Sequence, residues 1–194
     1  MAELKDCGMR PLAEAEALYR RWIAHLDEEF RRQESPDRRA EIVRDELYEL
    51  YMGRPHGGRT TTSLISETAM FVAQESLDPR NAAIDADYAT DVDMEKYASR
   101  KPLIWFWRMF DRSPVGENLW LGFRFRCMLA RHIFRHVGKG IRIYPGVTFR
   151  FGYGIALEDY CTLGRGAVIE DGEGELTIAQ GTTVEAGARF GHRA

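Results

Sequence analysis

Histidine, cysteine and clustered aspartate are the residues of this chain that could do chemistry, and their spacing decides what kind. Five histidines and three cysteines are present. His56 stands beside two glycines with no second His or Cys near it, so it reads as a solvated loop residue. His132 and His136 sit at i, i+4, the spacing that puts two imidazoles on one helix face for a metal. No third ligand accompanies them, and no metal site is expected. Asp85, Asp87, Asp91 and Asp93 alternate with small residues in the manner of a calcium loop. Counted from Asp85, the fifth, sixth and twelfth places hold Ala89, Thr90 and Lys96, where that loop needs an oxygen ligand, glycine and glutamate. A solvated acidic face is the better reading. Cys7, Cys127 and Cys161 are scattered and odd in number, which fits reduced thiols in a cytoplasm rather than a disulfide framework or a zinc site.

The Gly-x-Gly pairs at Gly138/Gly140, Gly152/Gly154, Gly164/Gly166 and Gly172/Gly174 look like fragments of phosphate loops. None opens a helix after a strand, as that mechanism requires. Their spacing instead marks the corners of a repeat. From Val137 the text runs VGKGIR, IYPGVT and FRFGYG. From Leu157 it runs LEDYCT, LGRGAV and IEDGEGE, and from Ile178 IAQGTT, VEAGAR and FGHRA. An apolar residue returns every six positions. The phase slips by two between Phe149 and Leu157, where Phe151 takes over, and is held up again by the insertion at Glu173–Glu175. A six-residue cycle with one inward aliphatic is the signature of a parallel β-helix, whose coils bury that residue only by stacking.

On these hexads, residues 137–194 resemble the hexapeptide-repeat acyltransferases. The segment from Lys101 to Phe151 has a fainter likeness to bacterial acyltransferases of this fold that carry a helical front end. The resemblance implies an α+β protein: a helical N-terminal region followed by a short left-handed parallel β-helix with three faces per coil. It implies transfer of an acetyl or other acyl group from coenzyme A to a hydroxyl acceptor such as a sugar, commonly in a homotrimer. Acetyl-CoA is then a co-substrate and no metal is needed.

Such a transfer requires a general base for the acceptor hydroxyl and a donor for the oxyanion. In the enzymes that the chain resembles, a coil histidine is the base, and within residues 137–194 that leaves His192 as the candidate catalytic residue. It departs from their pattern: Gly191 precedes it where a hydroxyl residue or a His-x-His pair is usual. The text ends two residues later with no closing helix, so a longer enzyme is expected, ending here inside its active-site coil. An immediate stop codon in the source DNA would overturn that expectation. Two alternatives stay open. One is a non-catalytic β-helix scaffold or trimerisation module. The other is a γ-carbonic-anhydrase-like zinc hydratase, which needs three coil histidines.

The elements that must position such a site divide the chain into 1–100, a helical and irregular region; 101–136, an aromatic, basic collar; and 137–194, the repeat. Residues 1–96 hold 13 basic and 21 acidic side chains, residues 97–136 hold 8 and 2, and residues 137–194 hold 6 and 7. The whole is mildly acidic, net −3, so a dedicated nucleic-acid binder is not indicated. No apolar run is long enough to span a bilayer and the first residues hold no signal core, so a cytoplasmic protein is expected. Helical spacing of Leu12, Ala15, Leu18, Tyr19, Trp22, Ile23, Leu26 and Phe30 predicts a helix over 11–33. A second follows from Pro36, capped by Ser35, and stops before Gly53; the two are expected to pair as an antiparallel hairpin. Leu64–Ala73 reads as a short helix. In the collar, Asn118 caps a helix running to about His136, with Arg124, Arg131 and Arg135 on one side. So apolar a helix is expected to cap the first coil. Peripheral membrane contact through 101–136 is the alternative use.

Overall fold

The structure, a computed structural model, describes residues 10–57, 68–172 and 174–191. In chain order the helices are α1 (Ala13–Arg32), α2 (Pro36–Met52), α3 (Thr68–Glu75), a 3-10 turn (Asp85–Tyr88), α4 (Met94–Tyr97), α5 (Lys101–Arg112) and α6 (Leu119–Ile133). Among the described residues nine short strands follow: β1 (His136–Val137), β2 (Arg142–Ile143), β3 (Thr148–Phe149), β4 (Ile155–Leu157), β5 (Thr162–Leu163), β6 (Val168–Glu170), β7 (Leu176–Ile178), β8 (Thr183–Val184) and β9 (Arg189–Gly191). Among the described residues, no helix is long and apolar enough to cross a membrane.

The strands form three parallel sheets, β1-β4-β7, β2-β5-β8 and β3-β6-β9. Each strand pairs with the strand three later, so the chain visits the three sheets in turn and then starts the next coil. The register aligns the hexad residues in columns. Val137, Leu157 and Ile178 are partners in the first sheet, Ile143, Leu163 and Val184 in the second, and Phe149, Ile169 and Phe190 in the third. Ile143, Leu157, Leu163 and Ile178 have no exposure at all. The two phase slips in the sequence are real lengthenings of the coil. His136 pairs with Ala156, twenty residues on, and Thr162 with Thr183, twenty-one on, against eighteen for three unbroken hexads. Both sets of extra residues fall between the third strand of one coil and the first strand of the next.

Corner backbone follows from the close stacking. Gly140 has φ +69° and Gly181 has φ +73°, while the equivalent corner of the middle coil is Tyr160 at φ +62°. Tyr160 lies over Gly140: a Cβ there would come within 2.5 Å of its ring. At Gly164 the constraint is proximity instead, since a Cβ would sit 2.6 Å from the backbone nitrogen of Ala186 in the next coil.

Above the first coil lie the helices. Ser35 occupies the N-cap position of α2 ahead of Pro36 but makes no side-chain capping hydrogen bond. Pro36 at the first turn therefore marks the start, and Gly53 ends the helix in the left-handed region at φ +66°. Asn118 caps α6 by accepting from the Leu121 N–H at 3.2 Å. The expected α1–α2 hairpin takes a different form. Each helix packs chiefly on a collar helix, α1 on α6 and α2 on α5. The reason is the larger apolar surface that the collar offers. Trp22 stacks on Phe125, and Phe30 meets Phe106 edge-on. What ties α1 to α2 is polar, the Trp22 Nε1–H donating to Glu46 at 2.7 Å and Arg39 donating to the Phe30 and Gln33 carbonyls. Leu12 and Leu18 are left exposed. Part of the expected helix over Leu64–Ala73 lies outside the described residues; the part that is described belongs to α3.

α6 lies across β1 and β2 of the first coil. Its Cys127 thiol donates to the Ile141 carbonyl at 3.3 Å, and Trp107 of α5 donates to the Val147 carbonyl at 3.0 Å. One hydrophobic cluster therefore runs unbroken from the helices into the coils. Leu163 sits at the centre of its column, between Ile143 and Val184, with no exposure. Leu163→Ala is expected to lower unfolding stability by about 2–5 kcal/mol, read by urea denaturation. A loss within error of zero would refute the columnar core.

Candidate functional site

A cleft of about 840 Å³ opens where α5 overhangs the outer face of the β3-β6-β9 sheet. Strand alternation builds one wall. Phe149 and Ile169 turn into the column, leaving Thr148, Val168 and Glu170 on the outside. Helical spacing builds the other: Trp107 is buried, while Arg108, Asp111 and Arg112 line the cleft. Arg150 and Asp171 close the end, in the corner where the coils are lengthened.

Two carboxylates hold this geometry. Asp111 accepts from the Gly146 N–H at 2.9 Å and from Arg126 at 2.6 and 2.7 Å. Arg126, with no exposure, donates also to the Gly116 carbonyl at 2.8 Å. Burial holds the Asp111 carboxyl above the ordinary aspartate range in spite of the neighbouring guanidinium. Asp171 is the second. It accepts from three consecutive N–H groups of the preceding coil, those of Arg150 at 2.6 Å, Phe151 at 2.9 Å and Gly152 at 2.5 Å. Burial raises its pKa as well, against the pull of those donors. Asp159 makes the simpler version of the same staple, accepting from the Lys139 N–H at 2.9 Å.

Sequence-predicted positions fare unevenly. His192 lies outside the described residues; β9, which leads to it, stacks beneath β6. His132 and His136 are not brought onto one helix face, because α6 ends at Ile133 and His136 begins β1. The expected extension of that helix to His136 fails for the same reason: the Arg135 N–H donates to the Ile155 carbonyl of the second coil, so Arg135 leaves the row of Arg124 and Arg131. His132 instead meets Asp27 at 2.8 Å and Phe30 edge-on. His56 is half-buried against Tyr48 and 3.5 Å from Asp45, not a wholly solvated loop residue. The four aspartates are also more than a solvated face, for each meets a cation. Asp85 pairs with Arg108, Asp87 with Lys101, Asp91 with Arg150 and Asp93 with Lys96. Among the described residues, no group of three or more His, Cys, Asp or Glu could hold a metal ion. Burial pushes the Cys127 thiol up to about 11, which withholds it from thiolate chemistry. Cys7 lies outside the described residues.

Sequence reasoning missed Arg108, Asp111, Arg112, Arg126, Arg150 and Asp171. A signal existed for Asp171 alone: Leu157-Glu-Asp and Ile169-Glu-Asp repeat the same triplet after an inward aliphatic, and both aspartates become staples. The cleft offers cations and the exposed hydroxyl of Thr148, with its carboxylates already engaged. No family model matches this chain, and no curated protein matches it.

Two measurements follow from these contacts. Asp171→Ala leaves three N–H groups without their acceptor and is expected to cost about 1–3 kcal/mol, with Asp171→Asn losing less; equal stability of all three proteins by urea denaturation would contradict the staple. The His132 pKa is lowered, because burial outweighs the attraction of Asp27. The unfolded chain therefore binds the proton first, and the stability held above the ordinary histidine pKa of about 6.5 is lost as pH falls below it. Denaturation midpoints between pH 7.5 and 5 should drop more steeply for the parent than for His132→Gln; parallel slopes would contradict this.

Proposed function

We propose that this protein is an acyl-CoA-dependent O-acyltransferase of the hexapeptide-repeat type, its coils wound left-handed and working as a homotrimer. It moves an acetyl group from coenzyme A to a hydroxyl acceptor such as a sugar. The observation that carries the reading is the register: apolar residues one coil apart, twenty or twenty-one positions along the chain, stack in three columns, which supports the three-faced coil on which such enzymes are built. In the reaction, His192 takes the proton from the acceptor hydroxyl as its oxygen attacks the thioester carbonyl. A backbone N–H holds the resulting oxyanion, the C–S bond then breaks, and coenzyme A leaves as the thiol with the proton passed to it. The cleft beneath α5 serves to hold a ligand beside the coils, and the collar fixes that cleft on the first coil.

The test is release of coenzyme A thiol from acetyl-CoA across a panel of sugars and other hydroxyl compounds. Acetyl-CoA is expected to bind by calorimetry, and His192→Ala to lower turnover by about 10²–10⁴-fold with binding retained. Absence of acetyl-CoA binding would overturn the transferase reading. Full turnover in His192→Ala would overturn the role of His192.

A further inference from the structure

The charges that line the cleft are not balanced in what they leave available. Four acidic residues line it, Asp85, Asp111, Glu170 and Asp171, and the last three have partners other than the side chains of the cleft's own arginines. Asp111 is taken by Arg126 and the Gly146 N–H, Asp171 by three N–H groups, and Glu170 by Arg189 at 2.8 Å. The basic groups are held far more weakly. Among the described residues Arg108 pairs with Asp85, at 3.3 Å, and the Asp85 side chain is 86 % exposed, so the pair contributes little. Arg112 is exposed and pairs with no carboxylate among the described residues. Arg108 and Arg112 stand at i, i+4 on α5, an arrangement in which like charges repel. Arg150 faces them from the end of β3, tied to Asp91 at 3.1 Å and still 42 % exposed.

We infer that this cleft binds a phosphate-bearing small molecule, with Arg108 and Arg112 gripping the phosphate and Arg150 completing the clamp. Guanidinium groups meet phosphate oxygens with paired, charge-assisted N–H donors. An anion between Arg108 and Arg112 also removes their mutual repulsion. Thr148, exposed on the sheet wall, offers a hydroxyl to the same group. A cleft of about 840 Å³ has room for an organic phosphate and not merely for a single ion. Trp107 and Val147 give its floor an apolar part. The inference goes beyond the acyltransferase reading and needs no acyl transfer to be true.

Inorganic pyrophosphate is the probe, titrated calorimetrically into the full chain at low and at high salt. Saturable binding is expected, weakened about tenfold by Arg112→Gln, further by Arg108→Gln/Arg112→Gln, and less by Arg112→Lys, which keeps the point charge. Arg112 is exposed, and unchanged thermal melts of its variants will certify their folding. Competition then identifies the source of the phosphate. Displacement by coenzyme A assigns it to an acyl donor; displacement by a hexose phosphate and not by coenzyme A assigns it to an acceptor. No saturable pyrophosphate binding, or binding that the double substitution leaves unchanged, overturns the inference. Neither result bears on acetyl-CoA turnover, which is measured separately.

Discussion

A buried ion pair ties the two halves of this molecule together. Arg126 points from α6 into a space without solvent, where it meets Asp111 of α5 and the carbonyls of Gly116 and Ile143. Asp111 spends its second oxygen on the Gly146 N–H at the corner between β2 and β3. Through two side chains, both collar helices, the turn between them and the first coil are fixed in one arrangement. Taking two charges out of water is costly, and a pair of this kind is sustained only by good geometry and further hydrogen bonds. Those bonds are present here. Gly122 belongs to the same device: a Cβ at that position would overlap the guanidinium.

The ion pair fixes α5, and α5 in turn fixes the cleft. Arg108 and Arg112 hang over the β3-β6-β9 face because Asp111, between them in sequence, is anchored beneath. On the other wall, the departure from strict six-residue spacing matters most. The extra residues of each coil gather beside Arg150 and Gly172, and Asp171 turns that loosened backbone into a fixed end of the cleft. One end of the cleft therefore lies where the repeat is broken.

The coils were legible in the sequence because a stacked column needs the same residue type at the same phase in each turn. Val137, Ile143, Leu157, Leu163, Ile178 and Val184 fall in register, and the two interruptions are visible as inserted residues. The helix limits near Ser35, Gly53 and Asn118 were legible too, since capping is a local demand of the backbone. What escaped was every interaction set by packing between distant segments. Arg126 and Asp111 are fifteen residues apart with nothing periodic to link them, and the three cleft arginines come from two elements. The α1–α2 hairpin misled because amphipathic helices seek the largest apolar partner surface, and Phe106, Phe110 and Phe125 provide it. His132 and His136 misled because i, i+4 spacing means one face only while the helix lasts.

The most direct test of this organisation is a double-mutant cycle at the ion pair, read by equilibrium urea denaturation of the parent, Asp111→Asn, Arg126→Met and the double variant. The two residues should couple, with the double variant retaining about 0.5–3 kcal/mol more stability than the sum of the single losses allows, since removing one partner strands the other without water. Additive losses, or single losses within error of zero, would contradict the claim that this pair holds helices and coils together.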